Sequence, residues 1–200
     1  MGVRGRSSRQ RLSPEQRRGE ILAAAHRVFS SQDPSSVTFE EIAHEAGVSR
    51  ALVYNYFGDK GTLLAEVYRQ AFESLDGELL DVLRSGQSPA ARLSELARRY
   101  VGFAQASTGP GQLLAHAAVV QHPAVQAVHR ERVRSLARAL GDADSLEMAV
   151  AGLLGLLESA TRHWLGAADT SAATLLAHLD LQVWTGFSGL LDRSVGSVTV

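Results

Sequence analysis

Between Arg50 and Phe57 the chain reads Arg-Ala-Leu-Val-Tyr-Asn-Tyr-Phe, a set of side chains suited to recognising a duplex rather than to catalysis. On a helix, Val53 and Phe57 lie four apart and bury together, which leaves Arg50, Ala51, Leu52 and Asn55 pointing outward. An arginine fork on such a face matches the guanine edge in the major groove or, as the plainer alternative, a phosphate. Ala51 and Leu52 offer methyl surface to thymine, and Tyr54, Asn55 and Tyr56 add phenol and amide groups. Lys60, the only lysine in the chain, falls at the start of the following helix. A positive charge there opposes the helix dipole, so an outside anion such as a phosphate is its expected partner.

No catalytic grouping accompanies these residues. Gly186-Phe187-Ser188-Gly189 is one residue short of a nucleophile elbow and sits inside a helical pattern. Gly109 and Gly111 match no phosphate-binding loop. His116, His122 and His129 lack the paired spacing of a metal site. No enzyme activity, metal or cofactor is therefore expected.

The elements that must hold the Arg50 face are legible on either side of it. Thr38 caps a helix and Glu41, three residues on, completes a reciprocal capping box. Ile42, Ala43 and Ala46 share one face of that helix, and the freed amides at its start suit a phosphate beside Thr38. Gly47 stands where a left-handed residue must end the helix, Val48 plugs the corner and Ser49 caps the next helix. Two short helices broken by a glycine turn are helix-turn-helix grammar, in which the second helix enters the major groove.

Thr38, the Ile42-Ala43 pair, the Ala46-Gly47-Val48-Ser49 corner, then Tyr54, Tyr56-Phe57 and Lys60 resemble the DNA-binding domain of the TetR family of transcriptional repressors. The likeness spans roughly residues 13 to 75. It implies DNA contacts from Thr38, Ser49, Arg50, Ala51, Leu52, Tyr54, Asn55, Tyr56 and Lys60. Tyr54 matches a phosphate-contacting tyrosine of the family, although its ring could instead wedge the domain core. Leu52 departs from the small or hydroxylated residue usual at its position, so base preference there does not carry over. For the remainder the likeness implies an all-helical, ligand-sensing, dimer-forming half. A palindromic operator, a small-molecule effector and repression by the unliganded dimer are its further implications, with activation by the same contacts, or a helical protein-interaction module, as the alternatives.

Composition sets the bounds. The chain has 200 residues, 45% of them hydrophobic, and no cysteine, which excludes disulfides and thiolate metal sites and suits a cytoplasmic, soluble protein. The Arg-rich N-terminus lacks the apolar stretch of a signal peptide, and the apolar run Met148 to Leu157 is about half a bilayer crossing, so no membrane is expected. Net charge is only −1, yet residues 1–18 hold six arginines against Glu15 alone. A basic arm before a helix-turn-helix is placed to follow phosphates or reach a minor groove, or else to serve as a solubilising tail.

Everything periodic is helical, which predicts an all-α chain of about nine helices. A flexible basic arm (1–12), a helix-turn-helix domain (13–58) and a helical ligand-binding and dimerisation domain (59–200) are expected. Ser13, Pro14 and Gln16 open the first helix. A long helix from about Asp59 to Leu83 joins head to body, Ser88-Pro89 begins another, and a break falls at Ser107 to Gly111. Pro123 to Leu140 follows, and two long helices, near Asp142–Leu165 and Ser171–Asp192, close the chain. These last two are apolar nearly all round, and Gly152 and Gly155 permit close approach, so they must be covered on several sides, either within the chain's own core or, as the family resemblance implies, in a four-helix bundle formed with a second copy. Tyr100, Phe103, Gln112, His116, His163 and Trp164 are the candidate ligand-facing residues, though each also suits plain packing.

Overall fold

The computed structural model describes residues 12–105, 122–141, 143–166 and 170–195, with the side chains of 143–145, 184 and 187–195 left aside. Eight helices occupy the described residues: α1 Pro14–Ser31, α2 Phe39–Ala46, α3 Arg50–Phe57, α4 Lys60–Arg84, α5 Pro89–Gln105, α6 Pro123–Leu140, α7 Ala143–Leu165 and α8 Ala172–Val195. About nine are expected of the whole chain, of which residues 106–121 lie outside the described ones. The basic arm to residue 11 and the expected break at Ser107–Gly111 lie outside the described residues.

The head is three helices closed by their caps. The Gln16 amide donates to Ser13 Oγ at 3.2 Å and the Ser13 amide to Gln16 Oε1 at 2.9 Å, the reciprocal box that starts α1. Thr38 and Glu41 build the same box on α2, and Ser49 Oγ accepts from the Leu52 amide at 3.2 Å on α3. Gly47 adopts φ 64° and ψ 34°, the left-handed conformation that side chains disfavour. The Val48 amide can then close on the Ala43 carbonyl at 2.9 Å. Ile21, Phe29, Ile42, Val53 and Phe57 form the head's buried core. Truncating Phe29 or Phe57 to alanine would cost about 3–5 kcal/mol.

Helix α4, 25 residues and about 37 Å long, belongs to both halves. Near its start Glu66 pairs with Arg18 of α1, whose guanidinium also lies 4.9 Å over the Phe57 ring. Helix α6 runs parallel to α4, since Gly61 meets His122, Asp76 meets Arg132, and Leu79 and Leu83 face Leu136 and Leu140. Helix α5 returns the other way, with Phe103 5.9 Å from Phe72 and Arg99 3.1 Å from Glu78. Helix α7 packs on α6, and α8 on α5 and α7. Among α4 to α7 lies a cavity of about 20 Å³ whose lining is wholly aliphatic. Outward, Met148 on α7 is 86% exposed and Leu181 on α8 66% exposed.

Candidate nucleic-acid interface

Helix α3 presents its outer face as its spacing requires. Val53 and Phe57 are buried, while Arg50, Ala51, Tyr54 and Asn55 are exposed. Arg50 and Tyr54, four apart, share that outer face. Tyr54 is 61% exposed, so its ring stands outside the core rather than wedging it. The half-buried Tyr56, three residues after Val53, packs on the core instead, with its ring 6.4 Å from that of Phe57. Leu52 is half-buried rather than fully outward, because it flanks Val53 on the edge of the inward face.

Charges at this face are already arranged. The Arg50 guanidinium reaches Glu40 of α2 at 2.8 Å, with both side chains more than half exposed. Such a pair contributes about 0–1 kcal/mol and exchanges readily for a phosphate or a base edge. Thr38 Oγ1 is engaged with Glu41, whose carboxylate accepts from the Thr38 amide at 2.7 Å and from its hydroxyl at 2.8 Å. These bonds, the backbone one first, hold Glu41 below the usual carboxylate range. Lys60 is half-buried and its Nζ donates to the Ser35 carbonyl at 2.8 Å, so it has an internal partner that the sequence did not disclose. That contact fixes the loop before α2 against the start of α4. Ser49 serves as the α3 cap.

The body assembles a polar cluster between the head and the aliphatic cavity. Arg132, 7% exposed, donates from Nε to both Asp76 oxygens at 2.8 and 3.0 Å and from Nη2 to Asp76 Oδ1 at 2.9 Å. Its guanidinium stacks 3.9 Å over the Phe72 ring. Glu158, 6% exposed, lies 3.5 Å from Arg132 Nη1 and 3.9 Å from His129 Nδ1. Burial, then the charge of Glu158, pushes the Tyr100 and Tyr68 hydroxyls well above their usual pKa, so both stay protonated. The Tyr100 hydroxyl and Thr161 Oγ1 are buried and have no hydrogen-bond partner among the described residues.

Of the ligand-facing candidates, Tyr100 belongs to this cluster and Phe103 stands beside it across Phe72. His163 is exposed, and the half-buried Trp164 donates Nε1 to the Thr170 carbonyl at 2.6 Å, tying the turn between α7 and α8. Gln112 and His116 lie outside the described residues. Asp76, Arg132, Glu158 and Thr161 escaped sequence reasoning. The signal was present: Arg132 interrupts the apolar stripe of Val125, Val128 and Leu136, and Glu158 interrupts that of Val150, Leu154 and Leu157. A charge on a buried stripe demands a buried partner.

A helix-turn-helix head on an α-helical body defines the class of this protein: a fold that presents one helix to a major groove. A family profile described as bacterial regulatory proteins, tetR family, matches residues 21–67. The match lies in the N-terminal helix-turn-helix domain, which is similar to the DNA-binding domain of that family. It is 38% identical over 82 residues to the HTH-type transcriptional regulator BetI of Rhizobium meliloti (strain 1021), a match covering 41% of this chain and 40% of that protein. The chain thus spans well under half the length of the curated relatives it matches. The whole fold is similar to a tetR-family transcriptional regulator from Streptomyces coelicolor, with TM-score 0.68 and 24% identity over 92% of this chain and 90% of that one. A TetR-like regulator from Rhodococcus sp. RHA1 gives TM-score 0.64 and 24% identity, covering 90% and 100%. Among the described residues no helix is long and apolar enough to cross a membrane, and no group of three His, Cys, Asp or Glu could hold a metal ion.

Proposed function

We infer that this protein is a sequence-specific, DNA-binding transcriptional regulator. It acts in the cytoplasm as a two-fold dimer on a palindromic operator and is a repressor released by a small molecule. The observation that carries this reading is the outer face of α3, where Arg50, Ala51, Tyr54 and Asn55 stand clear of a head locked by its caps. In this reading Arg50 leaves Glu40 for a guanine edge, and Ala51 with the exposed edge of Leu52 meets thymine methyls. Tyr54, Asn55, Lys60, the α2 start at Thr38 and the α3 start at Ser49 bear on phosphates, as does the exposed part of the half-buried Tyr56. One short helix gives too little specificity, and a second copy placing its own α3 one helical turn away doubles the contacts. The exposed Met148, Gly152, Gly155 and Leu181 support α7 and α8 as the dimer face. Release follows if a ligand prefers the body in a state that holds the two heads at the wrong spacing.

Selection from a randomised duplex pool tests this. Wild type is expected to enrich a two-fold palindrome, and Arg50→Ala to lose preference at one base step per half-site, worth about 1–3 kcal/mol. Recovery of no common sequence by properly folded wild type would overturn the reading.

A further inference from the structure

The buried cluster and the aliphatic cavity are in register on the same four helices. Asp76 on α4 is followed by Leu79, Tyr100 on α5 is preceded by Leu96, Arg132 on α6 is followed by Leu136, and Glu158 on α7 is preceded by Leu154. Each step is three or four residues, one helical turn. Four helices therefore present one polar layer and, directly beyond it, one layer lined only by aliphatic side chains.

The donors of Arg132 are shared unequally between the two carboxylates. Asp76 takes both the Nε and Nη2 donors of Arg132, and Glu158 receives only the remaining Nη1 at 3.5 Å. The buried Glu158 and the partly buried Asp76 share the Arg132 guanidinium, with His129 at 3.9 Å on the partly exposed side and the half-buried Arg162 also acting on the Tyr100 hydroxyl. The hydroxyls of Tyr100 and Thr161, both fully buried, add two oxygens without hydrogen-bond partners among the described residues, and Thr161 lies three residues after Glu158 on the same helix. Phe72 and Phe103 stand alongside as aromatic walls. A group carrying one positive charge and several N–H donors suits this layer, since it pairs with the Glu158 carboxylate that Arg132 holds only loosely, donates to the hydroxyl oxygens and has the Phe103 ring nearby. A carboxylate would add a third negative charge to the same layer. Beyond the head group the 20 Å³ cavity has room for one water-sized group and no polar atom to hold water, so an alkyl carbon suits it.

We propose that the effector is a small amphipathic amine: its protonated head sits against Glu158, Tyr100 and Thr161, and its short aliphatic tail enters the cavity lined by Leu79, Leu96, Leu136, Leu154 and Leu157. This rests on the reading of the body as the ligand-sensing half. Because Asp76 and Glu158 tie α4 and α7 to Arg132, a head group competing for Glu158 loosens the body's hold on the helix that carries the head.

Calorimetric titration of the full-length protein with n-alkylammonium chlorides, from methyl to hexyl, against alkanoates and alkanols of equal length tests the proposal at fixed ionic strength. The ammonium series is expected to bind, with affinity passing through a maximum as the tail fills the cavity, and the alkanoates to give no heat. Glu158→Gln should weaken the best amine by about tenfold or more. Leu154→Phe, which fills the cavity, should shift the optimum to shorter tails and leave methylammonium unaffected, and it serves if Glu158→Gln fails to fold. Binding by alkanoates in place of amines, a flat chain-length profile, or no binding by either series overturns the proposal. Operator binding is read on the same preparation. A protein that selects a palindrome but ignores amines loses only the ligand class, whereas one that selects no sequence loses the regulatory reading itself.

Discussion

Arg132 is the residue on which the body's electrostatics turn. It is buried, stacked on Phe72 and shared between two carboxylates on different helices. Removing one member of such a set leaves charge in a medium that solvates it poorly, at a cost of about 3–5 kcal/mol. Arg132→Met is therefore expected to lower the urea midpoint sharply, while Arg132→Met combined with Asp76→Leu and Glu158→Gln should recover most of the loss. Equal destabilisation by the single and triple variants would contradict this account. The sequence announced these residues only obliquely, as charges on apolar stripes. It could not say which carboxylate met which arginine, because the pairs span 56 and 26 positions of chain. The recognition residues were easier, since α3 sets their outward direction through a spacing of one turn. Even there, whether the second aromatic ring of the pair Tyr54 and Tyr56 faced in or out required knowing where the core lay.

At the scale of elements, the junction of head and body is a contact that no periodicity discloses. Gly61, in the first turn of α4, lies under the ring of His122, and a Cβ built at Gly61 would fall 2.2 Å from that ring. The ring cannot swing away freely, since Nδ1 accepts from the Ala124 amide at 3.3 Å and Nε2 lies 3.3 Å from Asp59 Oδ1. Two opposing effects then decide the sign of Gly61→Ala. Alanine favours a helix over glycine by up to about 1 kcal/mol, whereas the collision must push α6 from α4. Gly61→Ala is expected to destabilise the wild type and to stabilise the His122→Ala background, a sign reversal that thermal unfolding of the four proteins reads directly. Asp59 adds a dependence on pH at the same joint. Its carboxylate accepts from the Thr62 amide at 2.8 Å and the Thr62 hydroxyl at 2.7 Å, bonds that hold it below its usual range. The unfolded chain takes up that proton first, so this stability is complete above about pH 4 and is lost as pH falls through the lower folded value. Asp59→Asn keeps a capping side chain but cannot titrate, and should show a shallower loss of stability below about pH 4 than the wild type. Helix ends such as Ser13, Thr38, Ser49 and Asp59 were legible because caps are local, whereas Gly61 beneath His122 is a meeting of distant segments.

Across the whole molecule the open question of cover falls on α7 and α8. Met148 at 86% exposure and Leu181 at 66% project from helices whose other faces are already packed, and Gly152 and Gly155 keep the α7 surface low between them. A lone exposed leucine needs no explanation, but an apolar face with small residues at helical spacing suits another helix laid against it. The regulatory reading requires such a partner, because two α3 helices must enter successive major grooves about 34–36 Å apart. Helix α4, about 37 Å long, carries each head away from that face, so a tilt of α4 against it moves the heads by a lever of comparable length. In the proposed dimer, Met148→Glu and Leu181→Glu together would place four charges in the two-fold interface and none near the head. Sedimentation is expected to show a dimer for the wild type and a monomer for this variant, with the circular dichroism of the fold unchanged. Affinity for the palindrome should fall toward that for a single half-site, while weak, salt-dependent binding to arbitrary duplex persists through the head's own phosphate contacts. A doubly substituted protein that remained dimeric, or that held the palindrome as tightly as before, would place the two-fold axis on another face of the body.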